Sequence, residues 1–300
     1  MNDDLRVEPV APADWPALGP FIAARNAADG DVRCLHSHAG AGADAHADEL
    51  RALAPEEACY CIARRGDVIV GVAGAEFDVA LGRAWLRGPL LAAGEDFPRV
   101  AGALLDALCA QLPASLRRHD AFIAADCHEA LTLYGARGFA PDAGHDEFIL
   151  RSPLPPCEPR PRVGLVRPMP AWRAEIGALH EAEFPGGYVT PEALFEAPGP
   201  DRFTRIALLD DAPAGYVHAH FDVQWQEGYV DFLAVAPTAR RHGIGRALLQ
   251  AAADWSFGSC RARAVTLTVR ADREAARALY QAAGFERVRT GIGMQRRLDA

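Results

Sequence analysis

Val230-Asp231-Phe232-Leu233-Ala234-Val235-Ala236-Pro237-Thr238-Ala239-Arg240-Arg241-His242-Gly243-Ile244-Gly245-Arg246-Ala247-Leu248-Leu249 is the stretch that decides the fold. An apolar, strand-like run stops at Pro237, which cannot continue a central strand. A basic turn follows, and a helix opens at two glycines. Ile244, Leu248, Ala252 and Trp255 then keep helical spacing on one face. Gly243 and Gly245 let a ligand approach the backbone. The N–H groups of the first helical turn point outward unpaired. The positive end of the helix dipole, with Arg240, Arg241 and Arg246, adds attraction for an anion such as a pyrophosphate. Taken alone, a G-x-G at a helix start is equally a tight turn under a solvated basic patch.

Outward from this stretch the chain repeats itself. Leu133-Tyr134-Gly135-Ala136-Arg137-Gly138-Phe139 matches Leu279-Tyr280-Gln281-Ala282-Ala283-Gly284-Phe285 at an offset of 146, and Leu104-Leu105 matches Leu248-Leu249 at an offset of 144. Each half opens with a short apolar strand, a proline and a Trp-led helix, at Val7 to Trp15 and at Val166 to Trp172. A constant order at a nearly constant offset argues for duplication. Five prolines between residues 153 and 162 make an extended spacer near the midpoint. The expected domains are therefore 1–152 and 163–300, joined by a linker at 153–162.

In the second half the patterns predict a strand at 163–167, helices at 172–183 and 191–195, and strands at 203–209, 214–223 and 228–235. A helix at 244–255, a strand at 264–269, a helix at 273–283 and a strand near 291–298 follow. Asp272 reads as the N-cap of the last helix and Gly284 as its left-handed stop. The fold class is mixed α/β: a mostly antiparallel sheet, one parallel crossover and flanking helices, twice over. The first half reads alike, apart from a small-residue insert at 36–48. Its histidines, His36, His38 and His46, invite a metal, but Gly and Ala cannot hold ligands in fixed geometry. The insert reads as a mobile loop, and no metal is expected.

Composition narrows the function. The 300 residues are 50% hydrophobic and 24% charged, which excludes a disordered chain. Mean hydropathy is −0.04, and no run approaches a bilayer span. The acidic start, Met1 to Arg6, differs from a secretory signal. The net charge of −9 disfavours a nucleic-acid partner. All basic residues are Arg, so no lysine can serve as nucleophile or phosphate ligand. Seven scattered cysteines without a C-x-x-C pair suit free thiols in a reducing cytoplasm.

These residues resemble the GNAT family of acyl-CoA-dependent N-acetyltransferases. Arg240-Arg241-His242-Gly243-Ile244-Gly245 fits the family's R/Q-x-x-G-x-G/A loop at every defined position. Ala276-Arg277-Ala278-Leu279-Tyr280-Gln281-Ala282-Ala283-Gly284-Phe285 looks like its A-x-x-L-Y-x-x-x-G-F ending. The resemblance is strong over 163–300 and faint, through the repeat, over 1–152. It implies acetyl-CoA as cosubstrate and an amine as acceptor. The backbone of Leu233, Ala234 and Val235 would hold the pantetheine arm and acetyl carbonyl. Arg240, Arg241, His242, Gly243, Ile244, Gly245 and Arg246 would hold the pyrophosphate. Tyr280 would protonate the departing thiolate.

The chain departs from the pattern twice. Arg273 stands where the family often has Asn, and Thr268 stands where some members place a glutamate base. An alkylamine is mostly ammonium at pH 7, so a base is still needed. Asp231 is the first candidate, with His218, His220 and Glu227 as others. In the first half, Asp96 aligns with Arg240, Arg99 with Gly243 and Ala101 with Gly245. That copy should bind CoA poorly. A CoA-binding module without chemistry is the competing reading. A dinucleotide-binding domain fails, because the glycines do not follow the first strand and no acidic residue stands at ribose distance. The acceptor is not legible beyond a weak preference for cationic amines.

Overall fold

A computed structural model describes residues 4–29, 43–52, 56–156, 161–196 and 199–298. The element order repeats. The first half runs β1 (Leu5–Pro9), α1 (Trp15–Asp29), α2 (Ala43–Ala52), β2 (Ala58–Arg65), β3 (Val68–Asp78), β4 (Arg83–Leu91), α3 (Phe97–Gln111), β5 (Arg118–Ala124), α4 (His128–Gly135) and β6 (Ala140–Leu150). The second runs β7 (Val163–Val166), α5 (Arg173–Glu183), β8 (Arg202–Leu209), β9 (Ala212–Asp222), β10 (Glu227–Val235), α6 (Ile244–Asp254), β11 (Ala264–Arg270), α7 (Glu274–Ala282) and β12 (Glu286–Arg297). A short 3-10 turn at Ala193–Phe195 stands where the first half has α2.

Part of the insert corrects the sequence reading. Residues 43–48, read as loop, open helix α2. Alanine is the best helix former, and Ala47 is buried beside Gly19 of α1, where a side chain at 19 would collide with Ala43. His36 and His38 lie outside the described residues. Asp272 is not the α7 cap either. Its carboxylate pairs with Arg270, and Arg273 takes the N-cap place with no side-chain cap bond. Gly284 does end α7 with φ +96°.

Two compact units divide the chain: residues 1–145 with 290–300, and residues 146–289. This differs from two contiguous halves. In unit 1 the sheet order is β1-β2-β3-β4-β5-β12, and Gly291 to Arg297 pair antiparallel with β5. In unit 2 the order is β6-β11-β10-β9-β8-β7. The cores follow the same division. Met294 is buried with Leu104, Leu108 and Tyr134 in unit 1, whereas Phe148 and Leu150 are buried with Leu248, Leu249 and Tyr280 in unit 2. Each copy's final strand thus completes the other copy's core. β6 and β12 carry similar alternating patterns, so nothing in either sequence says which sheet it joins.

In both units the central parallel pair is short. β4 and β5 pair from Arg83↔Arg118 to Leu86↔Ala121, and β10 and β11 from Glu227↔Ala264 to Val230↔Leu267. Beyond those four rungs the strands part. On its other side β10 continues along β9 up to Val235↔Gly215, with a bulge at Asp231 between Val230 and Phe232. The part of β10 from Asp231 to Val235 therefore keeps one neighbour and turns its other edge to an opening.

Candidate active site

The opening in unit 2 leads to the basic turn. After β10 a 3-10 turn at Pro237–Ala239 reverses the chain. Arg241 and Gly243 then take left-handed backbone, φ 69° and 80°, before α6 begins. Among the described residues, the amides of Arg241, His242, Gly243, Ile244, Gly245 and Arg246 have no hydrogen-bond acceptor; the first closed bond of the helix is Ala247 N–H to Gly243 O at 3.1 Å. Left-handed turns run together in this way gather N–H groups into an anion-binding concavity. Gly243 supplies the conformation that L side chains resist. The reason for Gly245 is packing, because a Cβ there would stand 3.0 Å from Leu279 Cδ2. The helix thereby seats against α7 and Val235.

Unit 1 closes the same place. Helix α3 starts at Phe97, and Arg99, aligned with Gly243, lies within its first turn. The Asp96 carboxylate accepts the Arg99 amide at 3.3 Å, while Glu95 is tied to Arg65 at 2.9 Å. A carboxylate of the chain itself occupies the helix start. The opening is filled too: the Tyr134 hydroxyl donates to Gly88 O at 2.9 Å.

The basic side chains are less uniform than their sequence suggests. Arg240 donates through Nε to Val235 O at 3.2 Å and through Nη2 to Glu183 at 2.6 Å. Arg273 donates to the other Glu183 oxygen at 3.2 Å. Glu183, at the end of α5, so ties the end of β10 to the start of α7, a link with no sequence signal. Arg246 donates to Pro155 O at 3.3 Å, and among the described residues its buried Nη1 has no partner. His242 folds back onto Arg240 O at 3.0 Å. Among the described residues, no hydrogen-bonded or ion-paired partner is seen for the Arg241 side chain.

Tyr280 sits on α7, packed on Phe148 and Phe285 and buried with Leu233, Val235 and Leu279. Among the described residues its hydroxyl has no hydrogen-bond partner. Burial, with neighbouring Tyr229, pushes its pKa up to about 12. The phenol is protonated across the neutral range. Thr268 accepts the Tyr229 hydroxyl at 3.1 Å.

Asp231 occupies the bulge, and its side chain is only 1% exposed. Its oxygens receive the Tyr188 hydroxyl at 2.6 Å and His220 Nδ1 at 2.9 and 3.0 Å. Burial, reinforced by the Asp231 charge, raises the Tyr188 pKa. His218 is buried against Thr204 at 2.8 Å, and burial lowers its pKa. Glu227 lies at the opposite end of β10. Burial and the adjacent Asp222 raise its pKa.

Among the described residues no group of three His, Cys, Asp or Glu could hold a metal ion. No helix among them is long and apolar enough to cross a membrane.

Residues 171–285 match the model of the Acetyltransferase (GNAT) family. A mycothiol acetyltransferase of Clavibacter sepedonicus is 34% identical over 143 residues, which is 46% of this chain and 44% of that protein. The match thus spans less than half the length of that relative. A GCN5-related N-acetyltransferase from Sphaerobacter thermophilus superposes with a TM-score of 0.72 at 20% identity, covering 99% of this chain and 96% of the other. A tandem GNAT protein from the clavulanic acid biosynthesis pathway gives 0.64 at 16% identity over 99% of both chains. At such identities these structures establish the fold alone. Residues 171–285, within the second unit, thus match the GNAT acetyltransferase family, and the chain as a whole has the fold of tandem GNAT structures.

Proposed function

We propose that this chain transfers the acetyl group of acetyl-CoA directly to an amine, with one active site, in unit 2. The observation that carries the reading is the run of unpaired amides from 241 to 246 beside an open strand edge, set against the capped helix and filled opening of unit 1. The pyrophosphate would lie on those amides, aided by Arg241. The free edge of Leu233, Ala234 and Val235 would hold the pantetheine arm and the acetyl carbonyl by strand-like hydrogen bonds.

Transfer then needs few groups. The amine nitrogen attacks the carbonyl carbon, the N–C bond forms and the C–S bond breaks. The thiolate takes the Tyr280 proton, and the nitrogen gives up one proton as the amide forms, which restores the phenol by way of solvent. The donor is always loaded, and the burial that raises the phenol's pKa also raises the proton affinity of a thiolate formed beside it. No acyl-enzyme is involved: Cys260, the cysteine nearest this site in sequence, has its thiol pKa raised by burial, the reverse of an activated nucleophile.

The acceptor is an amine, and a cationic one suits an acidic chain. The relative's name places mycothiol-type amines on the panel beside polyamines and aminosugars. The unpaired cysteines suit a reducing cytoplasm.

Calorimetry with acetyl-CoA should give one site per chain, and two equivalent sites would overturn the one-site reading. Gly243→Glu should abolish binding, since it puts a carboxylate where the pyrophosphate sits and a side chain where φ is +80°. The competing module without chemistry predicts one bound acetyl-CoA and no turnover of any amine.

A further inference from the structure

We infer that His220 takes the proton from the acceptor amine, held for that role by Asp231 and Tyr188. This rests on the acetyl transfer proposed above and names the base of that same site.

The sequence favoured Asp231, and the geometry around it makes the neighbouring His220 the base in this inference. The Asp231 side chain is nearly sealed from solvent, and its oxygens already receive two donors. A carboxylate so placed cannot meet an incoming ammonium. It can orient an imidazole. With Nδ1–H given to Asp231, the lone pair of His220 is fixed on Nε2, and the His220 side chain is 32% exposed. No protein partner of Nε2 stands among the described residues. A buried carboxylate fixing the tautomer of a half-exposed imidazole is a general base arrangement.

The arrangement is held from several sides. His220 pairs with Tyr229 across β9 and β10, and the two rings lie 5.5 Å apart. Asp231 is the bulge residue, and the bulge turns its carboxylate to the histidine's face. Tyr188 belongs to the segment after α5. His180 pins that segment, donating through Nε2 to Val189 O at 2.9 Å while Nδ1 accepts the Tyr216 hydroxyl at 2.5 Å. The bulge is also where β10 leaves β11. Leu233 follows two residues on, about 7 Å at strand rise. The remaining charged or titratable groups facing His220 are Arg202 opposite on β8, His218 on β9, and Asp222 with Glu227 at the hairpin end.

The proton balance closes. An ammonium N–H passes its proton to Nε2, the freed lone pair forms the N–C bond, and the imidazolium returns the proton to solvent. As the C–S bond breaks, Tyr280 protonates the thiolate, and the second proton that the nitrogen sheds as the amide forms restores the phenol by way of solvent.

The test uses the full chain, acetyl-CoA and a panel of primary amines including spermidine and glucosamine. His220→Gln should lower kcat by about 10²–10⁴-fold, the usual contribution of a general base, with acetyl-CoA affinity unchanged by calorimetry. Asp231→Asn should lower kcat and leave acetyl-CoA affinity unchanged, because the imidazole loses the carboxylate that orients it. Added imidazole should restore part of the activity of His220→Ala. Nitrogen NMR of labelled histidines should show the Nδ1–H form at His220, and loss of that preference in Asp231→Asn. Near-normal turnover by His220→Gln would overturn the inference, as would an unchanged tautomer preference in Asp231→Asn. Turnover of no amine by the native chain that binds acetyl-CoA would also overturn it, and would favour the binding module. Failure to bind acetyl-CoA would sink the acetyl-transfer reading first.

Discussion

The Tyr134 hydroxyl is spent on Gly88 O, and its ring is fully buried. Tyr280, at the matching place on α7, packs with Leu233 and Val235 of β10, and its hydroxyl has no partner among the described residues. A packing role and a proton-donor role therefore separate experimentally. Tyr280→Phe should lower kcat by about 10²–10⁴-fold with little change in acetyl-CoA affinity, because the hydroxyl acts only as the C–S bond breaks. Tyr134→Phe should leave kcat near normal and cost stability instead, through a buried carbonyl left unpaired. Equal losses in both variants would remove Tyr280 from the chemistry. Glu183 offers a second contrast. It neutralises Arg240 and Arg273 at the mouth of the opening. Glu183→Gln should tighten acetyl-CoA binding by roughly three- to fivefold, the scale of one partly exposed ion pair, and less at high salt. Weaker binding would mean that Glu183 places Arg240 correctly rather than competing for it.

At the scale of elements, β5 and β12 carry a pH dependence. His119 on β5 is nearly fully buried and accepts Arg296 Nη2 of β12 at 3.1 Å. Burial, with the Arg296 charge, lowers its pKa to about 4. The unfolded chain protonates this histidine near pH 6.5, whereas the fold keeps it neutral down to about pH 4. Unit 1 should therefore lose stability as pH falls from about 6.5 toward 4, and His119→Gln should flatten that part of the profile. Melting temperatures of the two proteins across this range check it; parallel curves would refute it. Little of this was legible in the sequence. Most helices, the turn at 240–245 before α6 and the place of Tyr280 on α7 were legible, because period, turn chemistry and spacing are local; α2 was not. The His220–Asp231 couple was not, since antiparallel register and a one-residue bulge bring together residues eleven apart. Asp96 was readable as an acidic obstacle, but its capping bond became visible only once α3 was seen to start at Phe97.

At the scale of the molecule, the exchange of last strands makes each unit depend on distant sequence. Met294 is buried in unit 1 and Phe148 in unit 2. Met294→Ala should cost unit 1 about 2–5 kcal/mol, although 294 follows all of unit 2 in the chain. Hydrogen exchange should show lost protection in β5 and α3, with acetyl-CoA binding in unit 2 retained. Loss confined to α6 and β11 would contradict the division seen here. The duplication was readable from its offset of 146 residues. The exchange was not, because two strands of like pattern compete equally for either edge.

That exchange sets the order in which the protein can be completed as it is made. The first 145 residues leave the ribosome without the strand that closes their sheet. The part of β12 that belongs to unit 1 begins at residue 290, so the whole of the other unit is synthesised in between. At bacterial to eukaryotic elongation rates that interval lasts roughly 7 to 30 s. For that time β5 is an uncovered edge on a nascent chain, open to any strand that reaches it, and the first unit to be born is the last to be finished.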